Sequence, residues 1–367
     1  MNRIQRLVAR DPNVVILAVL TLSVGITLIA FLGDRFFSSL NLQSMATQVA
    51  EFGLLALAMG LSMLLSGIDL SIVSAAVLSA IVGGLFLAGE IIPITPGNES
   101  TVMWIGVAAV LVTGLLCGAL NGLLIAKLSV PPILATLGTF IFFAGVGMAI
   151  TGGSSVPVTI PGFSEFATAT VVSIPLIFLV MCAVYGVAAF VLTRTRLGRK
   201  VYLFGENSVA SRFAGVRNER TIIFTYLAIG LTVGMAGLIM LSRVNSARVG
   251  FGDSYLLQAI LVVVLAGFNP FGGRGKILSL FLGLVLLQSL QSAFTIMRFD
   301  PFMRSFIWGA SLLFVVGVNR LFHLRANRRR ILTNLAPAVV NPIDGSPHPT
   351  ESPPGEIPST GTTETTK

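Results

Sequence analysis

Between Val14 and Leu32 the chain reads VVILAVLTLSVGITLIAFL, without one charged side chain. Comparable apolar runs follow at about 43–65, 70–89, 101–126, 132–151, 171–193, 221–242, 255–267, 277–297 and 304–320. This recurrence constrains the fold more than any other feature. A helix rises about 1.5 Å per residue, so roughly 20 apolar residues match the hydrocarbon thickness of a bilayer. Backbone amides find no water to bond there, which leaves helices or closed barrels as spanning structures. The runs lack the two-residue alternation of barrel strands. The sequence therefore predicts an all-α, polytopic integral membrane protein with about ten transmembrane helices. Only 11% of its residues are charged, less than half the share of about 25% usual in soluble domains.

A net charge of +9 would by itself admit a nucleic-acid partner, but the placement of the charges argues for a membrane instead. With the N-terminus in the cytoplasm, alternating spans put 19 of the 24 Lys and Arg residues inside: Arg3, Arg6, Arg10, Lys127, seven from Arg194 to Arg220, Arg274, Lys276, five from Arg320 to Arg330, and Lys367. Arg35, Arg243, Arg248, Arg298 and Arg304 fall outside. This bias is the positive-inside rule, and it predicts that both termini are cytoplasmic, with lipid rather than nucleic acid as the surrounding partner.

The first run is too long for a signal-peptide core and has no clear small-residue cleavage site, so it reads as a retained span. The expected organisation is a cytoplasmic segment 1–13, a membrane domain 14–322 with a cytoplasmic loop at 194–220, and a tail 323–367. The tail is rich in Pro, Ser and Thr and buries too little apolar surface to offset its ordering entropy, so it is predicted to be disordered. Cys117 and Cys182 fall within predicted helices, where small apolar packing is their expected use. His323 and His348 lie in the tail. With no cluster of His, Cys and carboxylate, neither a metal nor a bound cofactor is expected. A polytopic enzyme would want a nucleophile or acid cluster at one membrane interface, and none is present.

The loop TRLGRKVYLFGENSVASRFAGVRNER, Thr195 to Arg220, is basic, as topology demands, but it also carries a pattern. Val209, Phe213 and Val216 recur at i, i+4 and i+7, Asn207 or Ser208 is suited to cap a helix, and Gly215 to end it. A helix of two turns is marginal alone. It needs the underside of the membrane domain, or another protein, to pack against.

Within the apolar runs, Gly114 and Gly118, then Asn121 and Gly122, set small residues four apart on a helix face, which permits close helix contact in lipid. Asn121 is suited to bridge helices or to contact a solute. Pro131 and Pro132 start the fifth span. Gly267, Pro270, Gly272, Gly273 and Gly275 interrupt the pattern between the eighth and ninth, either as irregular backbone packed in protein or as a plain cytoplasmic turn. Glu51 lies well inside the second span, three residues after Gln48, and is a pathway candidate or a fixer of helix register. Asp69, at the break that follows, is suited to cap the helix beginning LSIV. Gln288, Ser289, Gln291 and Ser292 in the ninth span, with Thr136 and Thr139 in the fifth, offer uncharged hydrogen-bonding groups to a polyhydroxylated solute or to neighbouring helices. The stretches Gly118 to Phe140 and Leu282 to Phe314 each pair a small-residue helix with a proline-started one, at Pro131 and Pro301, in opposite orientations, as an inverted repeat would.

The loop resembles that of the sugar-type permease subunits of ATP-binding cassette importers, the branch of ribose, galactose, rhamnose and autoinducer-2 systems. Thr195, Gly198, Arg199, Tyr202, Gly205, Asn207, Ala210, Ser211, Arg212, Gly215 and Val216 fill that family's pattern, with Ser211 in place of its second alanine. SGIDLS from Ser66, GALNGLLIAKLSVPPILATLGTF from Gly118 and AGFNPFGGRGK from Ala266 are similar to three further motifs, in the same order. Ser66 replaces a glycine, Val73 and Ser74 replace V-G, and Gln258 stands where the family often has an acidic residue.

The resemblance implies that the 207–216 helix couples to an ATPase subunit through Asn207, Val209, Ala210, Arg212, Phe213, Gly215 and Val216. Val209 and Phe213 would be the apolar anchors, with Arg212 and Arg217 at the rim. It implies a second permease chain, identical or related, an extracytoplasmic solute-binding protein, and a place in a bacterial inner membrane. Candidates for the translocation pathway are Glu51, Asp69, Asn121, Thr136, Gln258, Gln288 and Gln291. No G-x-x-x-x-G-K-S/T phosphate loop occurs in the chain, so ATP would be used by the partner. The alternative is a self-contained transporter that uses a proton or sodium gradient through Glu51 and Asp69.

Overall fold

The computed structural model describes residues 12–300, 302–314 and 317. The expected tail 323–367, nearly all of the N-terminal segment, Pro301 and most of 315–320 lie outside them. Among the described residues, seven helices are long and apolar enough to cross a membrane: α1 (Pro12–Leu32, with its apolar stretch Val14–Leu32), α3 (Ser39–Leu64), α5 (Glu99–Ala126), α6 (Pro132–Thr151), α8 (Leu176–Arg194), α11 (Asn218–Val244) and α13 (Ile277–Ile296). Four short helices lie between them: α2 (Asp34–Phe37), α7 (Pro161–Thr168), α9 (Arg196–Glu206) and α10 (Ser208–Phe213).

Three further apolar helices are shorter than these seven: α4 (Ile72–Leu87), α12 (Asp253–Leu265) and the described part of the tenth expected span, α14 (Phe302–Phe314). For α4 and α12 the reason lies in the backbone at their ends. Gly89 has φ +80° just past α4, Gly250 and Gly252 have φ +85° and +77° before α12, and Gly267 has φ +82° after it. Hydropathy runs on through these turns, but the helix does not. A 13-residue helix is only about 20 Å long, so the irregular backbone around α12 has to be packed in protein rather than bared to lipid.

At the centre stands α3, buried at every residue from Val49 to Leu64 and packed by α8, α11, α12 and α13. From Phe52 to Leu61 this helix carries no polar side chain, and a segment apolar on all sides is one that a bundle places inside. Its C-terminal end meets α9 and the glycine-rich turn 267–275, where Gly273 N donates to Leu64 O. That end, with α9 and α10, is called the basic face below. On the opposite face, two-residue strands β1 (Val156–Pro157) and β4 (Ser246–Ala247) pair antiparallel, and β2 (Thr170–Val171) pairs with β3 (Ile174–Pro175).

The tightest crossing is between α5 and α11. A Cβ added at Gly114 would lie 2.6 Å from Gly230 O and 2.6 Å from Gly234 Cα, and one at Gly118 would strike Tyr226 O. In lipid, dispersion between backbones replaces the hydrophobic effect as the packing force, so a glycine face is what lets these helices touch. The small-residue pattern at Gly114 and Gly118 thus meets a matching one at Gly230 and Gly234. Pro132 occupies the first turn of α6, as expected of helix initiation.

Candidate functional site

The loop 194–220 folds into α9 and α10. Thr195 caps α9, its hydroxyl oxygen accepting from Gly198 N at 3.3 Å. Gly205 abuts Leu64 O and the backbone of Gly273 so closely that no side chain fits. Ser66 Oγ donates to Gly205 O at 2.9 Å, and Tyr202 OH donates to Gly275 O at 2.8 Å; burial raises the Tyr202 phenol above its ordinary range. Ser66 itself has φ +60°, a region glycine enters at less cost, and its hydroxyl bond to Gly205 offsets that strain. The break after α3 and the glycine-rich turn therefore grip α9 from two sides.

Asn207 ends α9 and starts α10: its Oδ1 accepts from Val209 N at 3.0 Å and Ala210 N at 2.9 Å. At the other end Gly215 has φ +79°, with Val216 N donating to Ser211 O and Gly215 N to Arg212 O, which closes the last turn. Ser211 is buried, its Oγ donating to Asn218 Oδ1 at 2.8 Å, while Asn218 Nδ2 donates to Ser208 O at 2.8 Å. A hydroxyl where the family carries a methyl thus locks α10 to the first residue of α11. Val209 and Phe213 remain 63% and 89% exposed. Ala210, Arg212 and Arg217 are exposed too, and Val216 is partly so. Beside α10 a cleft of about 840 Å³ opens, lined by Phe204, Val209, Arg212, Phe213, Ile222 and the ends of α5 and α6.

The intramembrane candidates fall into two groups. In the first, Glu51 is fully buried and accepts from Arg243 Nε at 3.0 Å, Arg243 Nη2 at 2.6 Å and Tyr255 OH at 2.6 Å. The span count puts Arg243 just past the seventh expected span and names no partner for it. It stands in the last turn of α11, and its reach back toward an isolated carboxylate was the signal available. Nearby, Gln258, Gln288 and Gln291 share a small cavity with Gln48.

In the second group, Asn121 Nδ2 donates to Ser71 Oγ at 2.7 Å and Thr139 Oγ1 donates to Asn121 Oδ1 at 2.7 Å, joining α5 to the start of α4 and to α6. Ser71 donates to Asp69 Oδ1 from N at 2.9 Å and from Oγ at 2.7 Å. Thr136 Oγ1 donates to Ile68 O and Pro132 O. Asp69 lies buried in the break 65–71 between α3 and α4. Its Oδ2 and the Tyr226 hydroxyl are buried without a hydrogen-bond partner among the described residues. The structure does not bring Asp69, Asn121 and Thr136 into the glutamine cavity.

Residues 41–316 match the family model described as "Branched-chain amino acid transport system / permease component". The chain is 31% identical over 309 residues to the ribose import permease protein RbsC of Escherichia coli (strain K12), covering 82% of this chain and 92% of that one. It is 29% identical over 335 residues to the fructose import permease protein FrcC of Rhizobium meliloti, covering 87% and 88%. Against the autoinducer 2 import system permease protein LsrD of Yersinia enterocolitica serotype O:8 / biotype 1B it is 32% identical over 271 residues, covering 72% and 78%. No solved structure matches the chain.

Proposed function

The chain belongs to this family of transport-system permease components, and from that premise we propose that it is the membrane subunit of an ATP-binding cassette importer for a monosaccharide or related polyhydroxylated solute. It is a multi-pass protein of the bacterial inner membrane. The observation that carries the coupling part of this reading is Phe213, an aromatic ring almost wholly exposed on a helix capped at both ends. An exposed ring beside a basic rim suits an anchor for a protein partner. We assign that role to the 207–216 segment and the partner to an ATPase subunit, since the chain carries no phosphate loop.

The mechanism follows from the joints. Force on α10 passes through Ser211 and Asn218 into α11, and through Asn207 into α9, which is gripped by Ser66 and the glycine-rich turn at the end of α3. Two rigid helices that cross the bundle are thereby moved from one short one. A second permease chain, identical or related, would complete the pathway, and an extracytoplasmic binding protein would deliver the solute. Ribose and fructose are what two relatives import by their names, which supports the sugar class. Glu51, Gln258, Gln288 and Gln291 are the pathway residues we place nearest the solute; Asp69, Asn121 and Thr136 act on the helix joints. The test is affinity purification from native membranes in mild detergent, with crosslinking and mass spectrometry. Recovery of an ATP-binding cassette subunit supports the reading. Recovery of the chain alone, with sugar uptake that collapses on adding an uncoupler, would return the gradient-driven alternative through Glu51 and Asp69.

A further inference from the structure

A polar seam runs along α3 from the face opposite the basic loop toward the middle of the bundle. Ser292 Oγ donates to Asn41 Oδ1 at 2.9 Å, Gln288 Nε2 to Gln48 Oε1 at 3.4 Å, and Tyr255 OH to Glu51 Oε1 at 2.6 Å. Between the last two lies a cavity of about 30 Å³ where Gln48, Gln258, Gln288 and Gln291 converge with the rings of Tyr255 and Trp308. It is large enough for about two waters at roughly 10–15 Å³ each. Two features mark it as incompletely satisfied. The Gln48–Gln288 contact is at the long limit of a hydrogen bond, and Gln291 Oε1 is buried without a partner among the described residues.

Each carboxamide offers a donor and an acceptor, the pair that a hydroxyl group needs. Aromatic rings suit the C–H faces of a sugar, as amphipathic surfaces with an apolar body. The charge beside them is already neutralised, because Glu51 is paired with Arg243, so the cavity favours a neutral solute over an ion. We propose that this cavity is the contracted form of a solute station for a neutral monosaccharide or polyol. Its glutamines exchange their mutual contact for solute hydroxyls when α13 draws away from α3, and the Glu51–Arg243–Tyr255 cluster fixes its floor. This inference rests on the importer reading given above, and it adds the contacts and the opening movement.

The chain has two tryptophans, and Trp104 is 66% exposed on α5, away from the cavity. In full-length Trp104→Phe protein in lipid nanodiscs, Trp308 emission reports the cavity alone. Titration with D-ribose, D-fructose and a panel of other pentoses, hexoses and pentitols should give a saturable change with at least one. Gln288→Leu and Gln291→Leu should each weaken that response by roughly tenfold, the equivalent of one lost hydrogen bond. In the complete importer they should lower the maximal uptake rate. Gln258→Ala, at a half-buried position, serves where an α13 variant does not assemble. An unresponsive Trp308 across the panel, or normal uptake by the glutamine variants, overturns the station and leaves the importer reading standing. Absence of ATP-dependent sugar uptake by the wild-type complex would instead overturn the importer reading.

Discussion

Arg243, in the last turn of α11, grips the carboxylate of Glu51 on α3 through two nitrogens, at 3.0 and 2.6 Å, across 192 positions of chain. Glu51 is wholly buried and Arg243 is 29% exposed. Removing one partner of such a pair strands the other charge, whereas removing both does not. Arg243→Met should therefore destabilise the protein by about 3 kcal/mol, and Glu51→Gln with Arg243→Met should recover most of that loss. Thermal unfolding of the single and double variants in one detergent checks it; a double variant no more stable than Arg243→Met would show that the pair is not the origin.

The α5–α11 crossing makes a steric prediction. Gly118→Leu and Gly230→Leu each drive a side chain into facing backbone, which cannot yield as a side-chain tip can. Overpacking of this kind costs about 1–3 kcal/mol or more, and here it should abolish monodisperse protein on size exclusion. Gly138→Ala, with open space around it, should behave as wild type. Equal recovery of all three variants would refute the close approach.

Phe213→Asp places a charge where a partner would bury a ring. Because the ring contacts solvent in the isolated chain, folding and membrane insertion should be unchanged, while copurification of the ATPase and solute-stimulated ATP hydrolysis should fall at least about tenfold, as for a central anchor. Stimulated hydrolysis at the wild-type rate sinks the coupling assignment. Ser211→Ala should differ: the ATPase should still bind, but stimulation should drop, because the link to Asn218 is lost while the anchor remains.

These contrasts follow how far local rules reach. The cap at Asn207 and the terminator at Gly215 were readable because capping chemistry acts within three or four residues. The apolar helices were readable because hydropathy sets what lipid accepts. The early end of α4 was not, since apolar residues run on to a turn at Gly89 that only φ reveals. Nor was the Glu51–Arg243 pair, whose partners meet only when α3 and α11 pack. Ser66 and Ser211 looked like departures from a family pattern, yet each hydroxyl holds a joint of the 194–220 loop, a role visible only once its acceptor is in place.

Asp69 gives the last prediction. Its Oδ1 accepts from the Ser71 N–H and hydroxyl in the break between α3 and α4, while its Oδ2 is buried without a hydrogen-bond partner among the described residues. Asp69→Ala removes the acceptor and leaves two buried donors unmet, which costs about 1–3 kcal/mol. Asp69→Asn keeps the accepting Oδ1 and should hold the stability of wild type. Thermal unfolding of the two variants and wild type in one detergent is the measure. Equal midpoints for Asp69→Ala and wild type would mean that the Ser71 bonds do not hold this break.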